Sequence, residues 1–262
     1  MKKTILITND DGFESKGLLA LKEALSPLAE VIIVAPTLEK SACAHSLTLT
    51  RPLRFVELEK NFYKLDDGTP SDCVFLALNK LFKDKKPDLV VSGINIGANM
   101  GEDITYSGTA AGAMEAVLQG IPAVAISQVC RSNCKDVEKL EYKLAKETIY
   151  KIVKKIFEDS YPLGERRFLN INIPPVNPAD CKGIKITHAG KREYGNHAEV
   201  HFNPRGQEYY WIGLPKLDWH PNPHPENDYS DFEAIKEDFV SITPIHLDMT
   251  HYESIKSLKE WI

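Results

Sequence analysis

Two adjacent carboxylates near the start of the chain are the first residues that could do chemistry. Asn9, Asp10, Asp11 and Gly12 directly follow the apolar run Ile5–Ile7. Unit charges about 4 Å apart repel by about 4 kcal/mol at an effective dielectric of about 20. A divalent cation removes this repulsion, and Mg²⁺ prefers carboxylate oxygens. The pair therefore favours a metal site, although Asp-Gly is also a common turn pair and that simpler interpretation stays open.

Three later segments add further polar groups. Ser41 lies in the polar loop 37–46, and Asn95 and Asn99 lie in a glycine-rich stretch, residues 93–101. Ser107-Gly108-Thr109 opens an apolar helix. Two carboxylates, a hydroxyl and an amide oxygen form an all-oxygen set that suits Mg²⁺, Mn²⁺ or Ca²⁺. The N-terminus of a helix binds anions, so a cation beside an anion pocket indicates phosphate-ester chemistry.

Each of these groups also has a structural interpretation. Asparagine between glycines is often a turn residue, and Ser-Gly-Thr before a helix is often a cap. Turn and cap roles do not explain why all of these polar groups occur at one sheet edge. The chain has neither a Gly-x-Gly-x-x-Gly after the first strand nor a Walker loop, which disfavours the common dinucleotide and P-loop sites.

Apolar strands alternate with amphipathic helices through the first two thirds of the chain. The pattern predicts strands near residues 5–7, 31–36, 87–93, 121–127 and 168–173, with helices near 16–26, 70–82 and 137–157 and another that opens at 107–109. Ser15 and Thr69 are the expected N-caps of the first two helices. Such alternation predicts an α/β fold, a doubly wound, mostly parallel sheet in three αβα layers. The carboxyl ends of its strands meet at one edge, where ligands bind.

The remaining segments are expected to leave this core. Residues 47–53 and 54–58 suggest antiparallel strands that leave the main sheet, with 62–65 able to pair with them. We predict a core at residues 1–180 and a C-terminal extension at 181–262. In the extension, Ile184–Thr187 and Tyr209–Ile212 are interpreted as the arms of one long protruding hairpin with a polar tip. A strand at Val240–Pro244 and a terminal helix complete the extension, and residues 218–231 are interpreted as loop.

Composition bounds the class of protein. The 262 residues are 43% hydrophobic and 26% charged, typical of one large globular domain, or of one domain with an extension. A net charge of −5 argues against binding a nucleic-acid duplex, and no apolar run approaches the roughly 20 residues of a membrane helix. The first strand starts at once, so we expect no signal peptide. The five scattered cysteines are interpreted as reduced thiols, which predicts a cytoplasmic protein.

Several motifs together resemble the SurE family (survival protein E). They are Thr8–Gly12, Ala35–Ser46, Gly68–Cys73, Ser92–Gly101, Tyr106–Thr109 and Ser241–Pro244. The resemblance implies a divalent-metal-dependent 5′/3′-nucleotidase that acts on nucleoside monophosphates and sometimes on polyphosphate. It also implies a Rossmann-like catalytic core, one Mg²⁺ or Mn²⁺ per subunit, and a hairpin exchanged within a homodimer or homotetramer.

The family's functional residues fall on the polar groups described above. Its metal ligands match Asp10, Asp11, Ser41 and Asn95. Its active-site and phosphate contacts match Asn9, Asn99, Ser107, Gly108 and Thr109, and the catalytic set is then Asn9, Asp10, Asp11 and Asn99.

Two departures from the family pattern and two questions remain. Ile96 stands where many members carry arginine, so one cationic phosphate contact is lost or supplied elsewhere. Ala110-Ala111-Gly112 replaces a stretch where a β-branched residue is common, which should affect packing alone. The residues separate neither a water nucleophile from an aspartyl phosphate nor an enzyme from a non-catalytic, metal-dependent nucleotide-binding or regulatory module.

Overall fold

A ten-stranded sheet forms the centre of the molecule in the computed structural model, which describes residues 2–130, 141–194, 198–212, 218–221 and 229–262. The first seven strands are β1 (Thr4–Thr8), β2 (Glu30–Pro36), β3 (Arg54–Glu59), β4 (Phe62–Asp66), β5 (Leu89–Ile96), β6 (Ala123–Gln128) and β7 (Arg167–Ile173). The later strands of the chain are β8 (Ile184–His188), β9 (Arg192–Glu193), β10 (Ala198–Phe202), β11 (Glu208–Ile212), β12 (Asp218–Trp219), β13 (Tyr229–Ser230) and β14 (Val240–His246). Of these, β10 with β11 and β9 with β12 form two separate two-stranded sheets.

The sheet is mostly parallel. Its strand order is β13-β8-β14-β7-β6-β5-β1-β2-β4-β3. Among these described neighbours, β3 with β4 and β7 with β14 pair antiparallel, and the other contacts are parallel. The predicted strands at the centre are therefore confirmed, and their carboxyl ends meet at one edge.

Helices cover both faces of the sheet. They are α1 (Lys16–Leu25), α2 (Pro70–Lys80), α3 (Gly108–Leu118), α4 (Lys143–Asp159), α5 (Asp231–Lys236) and α6 (Tyr252–Trp261), with a 3-10 helix at Gly101–Thr105. The apolar residues of α1 and α4 pack on one face, and those of α2 and α3 pack on the other. This arrangement confirms the three-layer αβα fold. The part of the predicted fourth helix at residues 137–140 lies outside the described residues.

The predicted N-caps are confirmed. The hydroxyl of Ser15 accepts a hydrogen bond from the backbone N of Leu18. Thr69 forms a capping box with Asp72, and Pro70 opens the helix. Asp72 also accepts from the backbone N and hydroxyl of Thr48 at 2.9 and 2.7 Å. Those bonds fix Thr48 beside α2, and residues 47–53 form no strand, so the strand predicted there is wrong. The prediction that residues 54–58 leave the main sheet is also wrong, because β3 pairs with β4 at its edge.

The C-terminal segment corrects one prediction about the hairpin. β8 does not pair with β11; it lies in the main sheet, parallel to β14, with Ile184 opposite Val240. The actual hairpin joins β10 to β11, with Val200 opposite Tyr210. The reason is that β14 returns to the sheet and lies between β7 and β8. The domain boundary at residue 180 stays a prediction.

Half of the predicted loop at 218–231 cannot be compared, because residues 222–228 lie outside the described part. At 218–219 and 229–230 the loop prediction is wrong, because these residues form short strands. Of its flanks, β12 pairs with β9 and β13 pairs with β8. In the described ranges, no helix has both the length and the apolar character to cross a membrane. The thiols of Cys43, Cys73 and Cys181 are free, which agrees with the reduced state expected for them. Cys130 is disulfide-bonded, so that expectation is wrong for Cys130, and Cys134 lies outside the described residues.

Candidate active site

Asp10 is held by the N-terminus of α3. It is 4% exposed and follows β1. The backbone N of Thr109 donates to Oδ2 of Asp10 at 3.0 Å, and the Thr109 hydroxyl donates to Oδ1. A helix N-terminus stabilises a carboxylate there. Burial nevertheless raises the pKa of Asp10 above its usual range, against the lowering effect of the Thr109 bonds.

Asp11 is less completely bonded than Asp10. Its Oδ2 accepts from the backbone N of Ile96 at 3.3 Å. Burial, and next the charge of Asp10, raise the pKa of Asp11 to about 7. Since like charges in a shared site disfavour ionisation, a positive charge beside the two carboxylates would stabilise their ionised forms.

Asn9 adds a buried acceptor that lacks a partner. Its Nδ2 donates to the carbonyl of Gly12 at 2.9 Å and to the hydroxyl of Ser15 at 2.8 Å. These bonds leave Oδ1 of Asn9 buried, with no hydrogen-bond partner among the residues that the structure describes. An unpaired buried acceptor costs about 1–3 kcal/mol, which a donor or a cation in the site would offset. Together with the two carboxylates, this oxygen shows that the residues present fit a divalent cation.

The other predicted metal ligands are joined to Asp10 and Asp11 through their chain neighbours. The backbone N of Lys40, next to Ser41, donates to the carbonyl of Asp10 at 2.7 Å. Ile96, which bonds Asp11, directly follows Asn95. These bonds bring the backbone next to Ser41 and Asn95 to the acidic pair, and the role of the two side chains as metal ligands stays a prediction.

Ser41 and Asn95 have partners of their own. The hydroxyl of Ser41 donates to Oε1 of Glu39 at 2.7 Å, and Nδ2 of Asn95 donates to the carbonyl of Gly97 at 3.1 Å. Asn95 follows a register shift in the pairing of β5 with β6, and such bulges re-aim side chains beside active sites. In the described part of the chain, no three His, Cys, Asp or Glu side chains form a metal cluster. A metal here would thus need the hydroxyl and amide oxygens.

The start of α3 lies close to Asp10 and Cys43. Ser107 is the N-cap, and its hydroxyl accepts from the backbone N of Ala110 at 2.9 Å. A Cβ added at Gly108 would lie 2.8 Å from Cβ of Asp10 and 2.9 Å from Sγ of Cys43. Glycine is therefore needed where α3 meets the acidic pair. The assignment of Ser107, Gly108 and Thr109 to phosphate stays a prediction, and the geometry adds a second role for Thr109 as a support of Asp10.

That second role leads to a testable expectation. Thr109→Val keeps the shape of the side chain and removes the hydroxyl that donates to Asp10. We expect the affinity for Mn²⁺, measured by calorimetry, to fall about 10-fold, because supports of metal ligands are worth about 10–100-fold in affinity.

Thr109→Ser retains the hydroxyl and is the matched control. Its affinity for Mn²⁺ should stay close to wild type. An unchanged affinity in the valine variant would remove Thr109 from the metal site.

Some supporting residues were not found from the sequence. Glu115 on α3 is buried, and its Oε2 lies 2.9 Å from Nε2 of His45, which ties the Ser41 loop to the helix. Asp231 accepts from the backbone N of Gly101 at 2.8 Å and of Gly190 at 2.9 Å. Both acids lie far along the chain from their partners, so no local spacing could have found them.

The comparison with protein families decides the classification. The family model described as Survival protein SurE matches residues 5–196.

The chain belongs to the SurE family.

Curated SurE relatives match along their full length. A protein named 5′-nucleotidase SurE from Sulfurovum sp. (strain NBC37-1) is 64% identical, covering 100% of this chain and 98% of that protein. One with the same name from Aliarcobacter butzleri (strain RM4018) is 60% identical, covering 99% of each. The crystal structure of the SurE protein from Aquifex aeolicus has a TM-score of 0.83 at 42% identity, covering 98% of this chain and 99% of that one. The SurE fold thus extends through the C-terminal segment.

Proposed function

We propose that this SurE protein is a 5′-nucleotidase, a divalent-metal-dependent phosphomonoesterase that converts nucleoside 5′-monophosphates to nucleoside and phosphate. Relatives that carry this name at 60–64% identity support the enzyme class. Its substrates would extend to nucleoside 3′-monophosphates and polyphosphate. The observation that supports the metal dependence is the pair of carboxylates, buried Asp10 and half-buried Asp11, together with the unpaired oxygen of Asn9.

Asp10, Asp11, Ser41 and Asn95 would hold one Mg²⁺ or Mn²⁺ per subunit. When bound, such an ion supplies charge neutralisation and Lewis-acid polarisation to a phosphoryl group. Thr109 keeps Asp10 oriented, and Asn9 offers Oδ1 to a proton-bearing group in the site. Ser107, Gly108 and Asn99 would place polar groups around the phosphoryl oxygens, where charge spreads in the transition state.

The bonds to Asp10 bear on the choice of nucleophile. Both of its carboxylate oxygens accept from Thr109, so whichever oxygen of Asp10 attacked phosphorus would compete with a hydrogen bond from Thr109. Among the described residues, Asp11 accepts one hydrogen bond, from the backbone N of Ile96. We therefore propose water as the nucleophile and keep Asp11 as the rival. Rapid quenching with ³²P-labelled substrate distinguishes them, because a phosphoenzyme that forms and decays at the turnover rate would establish the aspartyl route.

Phosphate release from a panel of 5′- and 3′-monophosphates and polyphosphate tests the function. We expect release from the 5′-monophosphates with Mg²⁺ or Mn²⁺, its loss in EDTA, and its recovery when metal is restored. Metal-dependent nucleotide binding without phosphate release would instead support a binding or regulatory module. Release that is unaffected by EDTA would contradict the metal site.

The β10–β11 hairpin leads to a proposal about assembly. One of its faces carries Val200, Phe202, Tyr210 and Ile212, all exposed. An isolated two-stranded hairpin is marginally stable in water, so a surface must cover this face. We propose that a second subunit does so, in a homodimer or homotetramer.

Light scattering should then give a mass of at least twice 29.4 kDa at micromolar concentration. The double change Phe202→Ser with Tyr210→Ser should shift the protein toward one chain, because it removes the two largest side chains of that face. Arg205→Ser, at the hairpin tip, is the control and should leave the mass unchanged. A concentration-independent mass of one chain for the unmodified protein would refute the proposal.

A further inference from the structure

Asn99 is bonded by side chains from two neighbouring strands. The backbone N of Asn99 donates to Oδ1 of Asn172 at 2.9 Å. Its carbonyl accepts from Nδ2 of Asn170 at 2.8 Å and from Nδ2 of Asn172 at 3.0 Å. Its own Nδ2 donates to the hydroxyl of Ser127 at 2.8 Å. The loop after β5 thus crosses the carboxyl ends of β6 and β7 and is fixed there at both its backbone and its side chain.

The pattern of β7 explains how the amides reach this loop. Leu169, Ile171 and Ile173 point into the core shared with α1 and α4. Asn170 and Asn172 alternate with them and therefore face the other side of the sheet. Asn172 lies opposite Ser127 in the register of β6 with β7.

Ser127, Asn170 and Asn172, which bond Asn99, are fully buried. A buried amide without a partner costs free energy, and apolar residues would fill these positions at no such cost. Sheet packing alone therefore does not explain why β7 carries two asparagines. Both of them bond Asn99.

We propose that Ser127, Asn170 and Asn172 are positioning residues that fix Asn99 in the orientation that binds the phosphate of the substrate. The proposal rests on the proposed function, because the phosphate role of Asn99 belongs to it. Of the two protons on Nδ2 of Asn99, one is used by Ser127, which leaves the second for a ligand. Asn170 and Asn172 fix the backbone that carries this amide, and a fixed donor loses no free energy to reorientation when phosphate binds.

Asn172→Ala and Ser127→Ala test the proposal. In both, the inhibition constant of inorganic phosphate and the KM of a nucleoside 5′-monophosphate should rise about 10-fold, while the Kd for Mn²⁺ should change less than about 3-fold. Asn177→Ala is the matched control, because Asn177 is exposed in the loop after β7 and bonds Asp180 alone. Its constants should match wild type. If Asn172→Ala does not fold, Ser127→Ala, which removes a single hydroxyl, decides the outcome.

A double-mutant cycle separates positioning from general support. If Ser127 acts through Asn99, adding Ser127→Ala to Asn99→Ala should cause no further loss of phosphate affinity. Additive losses would overturn the proposal, as would equal losses for Mn²⁺ and phosphate in the single variants.

The two hypotheses fail in different ways. Wild-type protein that binds Mn²⁺ and phosphate but releases no phosphate from nucleotides would overturn the proposed function and leave the positioning role measurable by phosphate binding. Unchanged phosphate affinity in folded Ser127→Ala and Asn172→Ala, with an active wild type, would overturn the positioning role alone. Wild-type protein that binds neither ligand would overturn both.

Discussion

Asp11→Asn should lower metal-dependent phosphate release from a nucleoside 5′-monophosphate by at least about 100-fold. The change preserves the shape of the side chain and the bond from the backbone N of Ile96, while it removes one of the two charges that would hold the cation. Initial rates at saturating Mn²⁺ measure the effect. Asp84→Asn, on an exposed turn away from the site, is the control and should retain full activity.

The same variant should be more stable than wild type in the absence of metal. At pH 8 the Asp11 carboxyl is above its pKa of about 7, so it is ionised beside Asp10 in a buried site. Removing its charge removes that repulsion, and the Tm in EDTA should rise. Loss of stability in EDTA, or wild-type rates with Mn²⁺, would contradict the assignment of Asp11 as a ligand.

Gly17→Ala should destabilise the fold by at least about 3 kcal/mol, at the upper end of overpacking effects. Gly17 lies in the first turn of α1, where a Cβ would be 2.0 Å from the carbonyl oxygen of Ile94. That oxygen belongs to the backbone of β5, so the clash cannot be relieved by a rotamer change. The free energy of unfolding in urea measures the loss.

The effect of Gly17→Ala should also reach the site, because Ile94 directly precedes Asn95. We expect weaker Mn²⁺ binding in whatever fraction of the variant folds. Gly164→Ala is the matched control: its added methyl would meet the flexible end of Arg167, and its stability should stay within about 0.5 kcal/mol of wild type. Equal stabilities of the two variants would show that α1 can move away from β5.

The central fold could be predicted because its signals are local. The apolar run Ile5–Ile7 makes a strand buried on both faces, and the Ser15 and Thr69 caps mark where helices begin. Each signal depends on residues a few positions apart. The parallel order then follows from the alternation of strands and helices.

The C-terminal pairing could not be predicted, because strand partners are chosen across long distances. Ile184–Thr187 suits a hairpin as well as a sheet strand by its own pattern. Its position depends on β14, which competes for it from more than fifty residues away. Helix α5, with six residues, is too short to give a clear periodic signal.

The candidate site likewise contains residues that local sequence points to and supporting residues that it does not. The sequence predicts Asn9, Asp10, Asp11 and Asn95 as oxygen ligands from their places at the ends of strands, and those ligand roles stay predictions. Their supports could not be predicted. The bond between Thr109 and Asp10 joins residues ninety-nine positions apart, and Asn172 is seventy-three positions from Asn99. Hydrogen-bond partners of this kind become visible when the sheet edge is assembled in space.

The late position of β14 in the chain has a consequence for synthesis on the ribosome. β7 can pair with β6 once residue 173 has emerged, but its other edge waits for residues 240–246. At about 5–20 residues per second, that edge stays open for a time on the order of seconds. An unpaired strand edge is a template for other chains. The nascent protein therefore exposes an aggregation-prone edge until β14 has emerged, and chaperones that bind during this interval would protect its yield.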